Sequence, residues 1–249
     1  MQLSLVAYYG NKPASLRRLV TDLQSQLQLR LGRFFRPYQM DQVHATVIGL
    51  ECITDGLKCY SRWYRENREA LRPVDFTGFL SHLMKRPPKL KIRMGGYRSG
   101  QDYGFLSRGD HPYSRSFSFQ GTTAVVVGWP AGRMAGKLVY TDSFYQLRRS
   151  FEAYHLCHKW HKDGYRDNDC YLVLGKIKPD ALPEEELQQI SRDLQQMLAQ
   201  REILFPLDGQ MLTIVAYENA ELPLETTRVL SLEEIGSCPA KLSTYLEHA

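Results

Sequence analysis

Long apolar runs are missing from this sequence. Hydrophobic residues fill 43% of its 249 positions, yet no stretch approaches the roughly 20 residues of a membrane helix, so no membrane partner is expected. Cysteine is scarce: the five present are odd in number, scattered, and include no Cys-x-x-Cys pair. That argues against a zinc ribbon and a disulfide framework, and points to free thiols and a cytoplasmic location. The opening MQLSLVAYYGNKP lacks a basic leader and an extended apolar stretch, so it reads as a first strand and not as a secretion signal. No low-complexity linker divides the chain. GFLSRGD is not a Walker loop, and MGGYRSG does not fit a dinucleotide fingerprint.

The charge is uneven. The net value is +5, but residues 180–249 hold 13 acidic and 4 basic side chains, leaving 14 acidic and 28 basic in the first 179. A cationic body suits phosphate-bearing partners, although lysines and arginines also serve as plain solvated surface.

Periodicity gives a coarse outline. LSLVAYYG is strand-like. The segment after it places Leu16, Leu19, Val20, Leu23 and Leu27 at helical spacing, with Ser15 as cap. VHATVIGLE alternates: Val43, Ala45, Val47 and Gly49 share one side, and His44, Thr46, Ile48 and Leu50 the other. Residues 56–71 look helical, DFTGFLSHLM is a second helix or a lead into a strand, and KLKIRMGGY is a strand. SFSFQGTTAVVVGWP holds two strand pieces around a glycine turn. Residues 143–162 read as a helix, DCYLVLGKI as a strand, PEEELQQISRDLQQMLAQ as a helix with acids in its first turn, and GQMLTIVAYENAEL as a final strand. The expected class is α+β with antiparallel or mixed sheets. Residues 1–225 form the expected domain and 226–249 a peripheral tail.

Three patterns carry candidate chemistry. The first is His44-x-Thr46, which puts an imidazole and a hydroxyl on one strand face. The second is YHLCHKWHKDGYRDND, with His155, Cys157, His158 and His161. On a helix His155 and His158 would share a face, but no known zinc pattern accompanies them, so no metal and no cofactor are assigned. His161 is the histidine of this group best placed by sequence to reach a cleft. The third is the loop 97–118, which interleaves aromatics with Arg98, Arg108, Tyr113 and Arg115, in a stretch (85–115) with eight basic and two acidic residues. Arginine grips phosphate and aromatics stack on unpaired bases, so these four are candidates for substrate binding; packing of the loop on the body is the plainer alternative.

The order of LSLVAYYG, VHATVIGLE, KLKIRMGGY, TAVVVGWP, CYLVLGKI and MLTIVAYE resembles the 2H phosphoesterase superfamily, in particular its LigT-like branch of 2′-5′ RNA ligases and cyclic phosphodiesterases. The resemblance spans roughly residues 2–220. It implies a bilobal α+β fold with two antiparallel or mixed sheets, flanking helices and a central cleft, each lobe supplying one His-x-Ser/Thr strand. His44 matches the first catalytic histidine and Thr46 its phosphate-binding hydroxyl. At the second motif this chain has Tyr171 and Val173 where family strands carry His and Thr. The resemblance thus implies a hydrolase acting on RNA or nucleotide phosphodiesters, with His44 as proton-transfer residue and Thr46 and Tyr171 meeting the phosphate. Two imidazoles titrating near neutrality can remove one proton and deliver another without a metal. The departure at 171 and 173 keeps two other readings open: a member that binds RNA or nucleotide phosphate without turnover, and a protein–protein scaffold using the acidic C-terminal third.

Overall fold

Helix α1 (Ala14–Leu31) shows how the sequence builds the frame. Its buried residues, Leu16, Leu19, Val20, Leu23, Leu27 and Leu31, make one apolar stripe. Its N-cap is Pro13 and not Ser15, and no side chain caps it; the Pro13 carbonyl accepts the first helical hydrogen bond, from the Arg17 N–H at 3.0 Å. The computed structural model describes residues 1–55, 58–162, 165–180, 182–237 and 242.

Before α1 comes β1 (Gln2–Ala7) and after it β2 (Phe35–Pro37), β3 (Ala45–Gly49), β4 (Cys52–Asp55) and β5 (Lys58–Ser61). Helices α2 (Arg62–Arg68) and α3 (Phe76–Lys85) lead to β6 (Lys89–Met94). A short α4 (Pro112–Arg115) precedes β7 (Phe117–Gln120), β8 (Thr123–Met134), β9 (Lys137–Tyr140) and α5 (Ser143–Ser150). Then follow β10 (Cys170–Ile177), α6 (Glu184–Ala199), β11 (Ile203–Asp208), β12 (Leu212–Tyr217), β13 (Arg228–Leu230) and α7 (Leu232–Ser237).

The strands form two main antiparallel sheets. One runs β13-β12-β1-β3; the other runs β11-β6-β8-β10-β2, with β7 and β9 also paired to β8. The class is α+β, as expected. A continuous apolar core takes residues from both sheets and from α1, α3 and α6. A smaller cluster lies on the other face of β8, where Val125, Val127 and Trp129 meet Tyr97 and Tyr103 of the 97–118 loop. That is why TAVVVGW shows no alternation: Ala124 and Val126 face the main core and their neighbours the second cluster, so both faces of the strand are buried.

Several expectations need correcting. Residues 56–71 are not one helix: 58–61 pair with β4, and Ser61 then accepts a hydrogen bond from the Tyr64 N–H (3.3 Å) to start α2; 56 and 57 lie outside the described residues. Cys52 and Cys59 are not free thiols but a disulfide across this hairpin, with Cα atoms 5.7 Å apart; Cys157 and Cys170 are free and buried. The helix expected over 143–162 ends at Ser150, passes through a 3-10 turn at 151–154, and stops where His155 takes φ +59°. Strands β9 and β11 were not foreseen. The tail expected from 226 supplies β13, paired with β12, and α7, in which Ile235 belongs to the core; apart from 242, residues 238–249 lie outside the described residues. The acidic C-terminal third is tied to the body by ion pairs such as Glu221–Arg36 (2.6 Å). No described helix is long and apolar enough to cross a membrane.

Candidate functional site

The His-x-Thr strand sits on the edge of its sheet, and a bulge decides what it shows. Opposite β1, Leu5 pairs with Ile48 but Val6 pairs with Thr46, so Val47 is the extra residue. A bulge shifts the alternation by one. His44 and Thr46 therefore face a cavity together with Gly49 and Glu51, while Ile48 and Leu50 turn into the core. This corrects the simple two-sided reading of the segment. A Cβ at Gly49 would run into the Glu51 carboxylate, which accepts the Trp63 indole N–H at 2.8 Å.

The cavity is about 380 Å³, and its walls come from both sheets. One wall carries His44 and Thr46; another carries Tyr171 and Val173 of β10; Arg108, His158, Trp160 and Asp167 line it from the flanking loops. The same alternation that buries Cys170, Leu172 and Leu174 turns Tyr171 and Val173 to this face.

His44 is half-buried, its Nδ1 2.7 Å from the Gln42 carbonyl oxygen. A carbonyl only accepts, so Nδ1 carries the proton and Nε2 presents a lone pair. Burial pushes its pKa down to about 4, with the charge of Lys12 acting the same way against the Gln42 bond. The ring is neutral at pH 7 and fitted to accept a proton. Lys12 is itself buried, its Nζ has no hydrogen-bond partner among the described residues, and burial lowers its pKa to about 7. Thr46 is exposed to the cavity, and its carbonyl accepts from Arg148 at 2.9 Å. Tyr171 donates its hydroxyl to Gln120 Oε1 at 3.2 Å, and burial raises its pKa, so the phenol keeps its proton.

Behind these groups lies a buried charge network that sequence reasoning missed. Arg148 makes five hydrogen bonds, to the carbonyls of Thr46, Val47, Asp167 and Asp169 and to the Asp167 carboxylate. Asp169 accepts from Ser107 (2.8 Å), Trp129 Nε1 (2.7 Å) and Arg115 (3.2 Å). Arg108 stands 3.6 Å from Asp169 and 3.9 Å from Asp167, and stacks 5.1 Å from the half-exposed Trp160 ring. The Asp-x-Asp just before β10 was the available signal; Arg148, one of two adjacent arginines on a helix, offered none.

The four loop candidates thus separate. Arg108 lines the cavity. Arg115 is buried against Asp169, Tyr113 packs on the aromatic cluster, and Arg98 is exposed outside the lining. Among the histidines of 155–161 the cavity takes His158, whose Nδ1 is 3.4 Å from Asp167. His161, favoured from sequence, is fully buried beside Tyr145 and Glu152, outside the lining. His155 turns away to the Pro73 carbonyl at 2.7 Å. No group of three or more His, Cys, Asp or Glu among the described residues is arranged to hold a metal ion.

No family model matches this chain, and no curated protein matches it by sequence. Among solved structures it is similar to the crystal structure of TT0787 of Thermus thermophilus, at 15% identity and a TM-score of 0.40, over 93% of this chain and 96% of that one. A likeness that weak bears on neither reaction nor substrate, and the functional reading has to come from the cavity.

Proposed function

We propose that this protein is a 2H phosphoesterase-like hydrolase of RNA or nucleotide phosphodiesters, cyclic ones above all, with the two sheets as its lobes and the cavity as its active site. The observation that carries the reading is that His44 and Thr46, from one sheet, and Tyr171, from the other, share one cavity with a cationic residue, Arg108, in its wall. His44 is the general base: its neutral Nε2 takes the proton of the attacking water. The Thr46 hydroxyl and the Arg108 guanidinium bind the phosphoryl oxygens as charge builds on them. The test is hydrolysis of a 2′,3′-cyclic nucleotide by wild type and His44→Ala. Loss of a general base removes about 10²–10⁴-fold of rate, so turnover confined to wild type supports the reading, and absence of turnover from both overturns it.

One observation favours a second reading. Val173 offers no hydrogen bond, and Tyr171 already holds Gln120. A protein that binds nucleotide phosphate without turnover fits those two replacements; it would show salt-sensitive binding and no hydrolysis.

A further inference from the structure

Displacement at phosphorus needs two proton transfers, one off the attacking oxygen and one onto the leaving oxygen. His44 serves the first. The donor for the second has to come from the remaining walls, whose polar groups can be taken in turn. The Tyr171 hydroxyl is committed to Gln120, and its ring packs on the aromatic cluster. Asp169 is occupied by Ser107, Trp129 and Arg115. Glu51 holds the Trp63 indole. Arg148 is spent on carbonyls and on Asp167. His158 is left. Its ring lines the cavity with a side chain only 7% exposed, and its Nδ1 faces Asp167 Oδ2 at 3.4 Å. The same Oδ2 receives Arg148 Nη1 at 3.1 Å. The other nitrogens of that guanidinium hold the Thr46 and Val47 carbonyls, each at 2.9 Å. One side chain thus fixes both the carboxylate behind His158 and the strand beside His44. With Nδ1 turned to Asp167, Nε2 is the nitrogen available to a bound diester.

We propose that His158, oriented by Asp167, is the second proton-transfer residue of the cavity and protonates the leaving oxygen. The step rests on the phosphodiester reading given above. The water oxygen bonds to phosphorus, and the bond from phosphorus to the leaving oxygen breaks with its electron pair on that oxygen. The water proton goes to His44 Nε2, and the His158 Nε2 proton goes to the leaving oxygen. The products are a phosphomonoester and a hydroxyl, and exchange with solvent resets both rings. Burial pushes the His158 pKa well below the ordinary imidazole value, and the charges of Arg148, His161 (ring 5.2 Å away), Lys159 and Arg108 act the same way. The ring is therefore neutral in the empty cavity, and its proton arrives with the negative charge of the substrate. Such coupling puts an alkaline limb on kcat/KM.

The test compares wild type, His158→Ala, His158→Gln, Asp167→Asn and His44→Ala. It reads hydrolysis of a 2′,3′-cyclic nucleotide across pH, calorimetric binding of the nucleoside 2′-monophosphate, and thermal unfolding. In the His158 variants turnover is expected to fall about 10²–10⁴-fold, with monophosphate affinity within about threefold of wild type and partial rescue by added imidazole. The alkaline limb should vanish in both, and shift in Asp167→Asn. His158→Gln keeps the volume of the ring should the alanine variant fail to fold. A merely structural role would weaken binding and unfolding temperature together, with no rescue, and would overturn the proposal. Turnover within about threefold of wild type in His158→Gln, with His44→Ala inactive, overturns the role of His158 and leaves the phosphodiester reading standing. An inactive wild type overturns both.

Discussion

Replacing Arg148 by Met should separate two parts of the molecule that the native chain holds together. The guanidinium is 3% exposed and joins the carbonyls of β3 to the segment that leads into β10. Methionine fills most of the volume but offers no donor. The Asp167 carboxylate, 4% exposed, then loses its closest cation, and the Thr46 and Val47 carbonyls lose theirs. Breaking a buried ion pair costs about 3–5 kcal/mol, and each stranded carbonyl about 1–3 kcal/mol, with overlap between them. We take about 4 kcal/mol as the expected loss, a large share of the stability of an ordinary domain. With a urea slope near 3 kcal/mol per molar, the unfolding midpoint should fall by about 1.3 M. Adding Asp167→Leu should recover more than half of the loss, because the stranded carboxylate goes with its partner. Equilibrium urea unfolding followed by tryptophan fluorescence measures both. A midpoint shift under about 0.3 M for the single variant would refute the network as a structural tie.

Acid should expose the burial of His44. Its folded pKa of about 4 lies below the unfolded value near 6.5, so the unfolded chain binds more protons between those limits and stability falls as pH drops from 6.5 to 4. The loss from this group is about 3 kcal/mol, and His44→Gln should lack it when unfolding is measured at pH 7 and pH 4.5. Asp169→Ala leaves Arg115 buried without its carboxylate. A loss of about 3 kcal/mol is expected, with faster proteolysis within 97–118; unchanged cleavage would mean that this loop is held by its aromatics alone.

The sequence was most informative where period and burial agree. The stripe of α1, the acid-led α6, and the strands β1, β6, β8, β10 and β12 could be read in order: the helices bury residues at helical spacing, β6 and β10 alternate, and the other strands stand out as largely apolar runs. Strands β9 and β11 escaped because LFPLD carries a proline, and because β9 exists by pairing with the far end of β8. Pro206 is tolerated because β11 is the edge of its sheet. In the site, His44, Thr46 and Tyr171 were legible as strand neighbours of apolar residues. The bulge at Val47 was not, since it depends on the register against Leu5 and Val6. His158 and His161 are three apart in the chain, and only the break of helix at His155 decides which one meets the cavity. Arg148 gave no sign at all: an arginine on an amphipathic helix usually points to water, and its burial follows from the two aspartates waiting beneath it.

The strand order of the first sheet has a consequence for how the chain is made. β1 lies between β3 and β12, and its partner Leu212–Tyr217 is synthesised about 200 residues after it. At about 5–20 residues per second that interval is roughly 10–40 s. During it β1 and β3 can pair, but the other edge of β1, a strand that carries the apolar side chains of Leu3, Leu5, Val6 and Ala7, stays open. Long-range strand closure of this kind is slow and exposes a sticky edge. The nascent chain should therefore be a natural client for holding chaperones until β12 emerges, and a ribosome stalled before residue 212 should present the His44 strand in a half-built sheet.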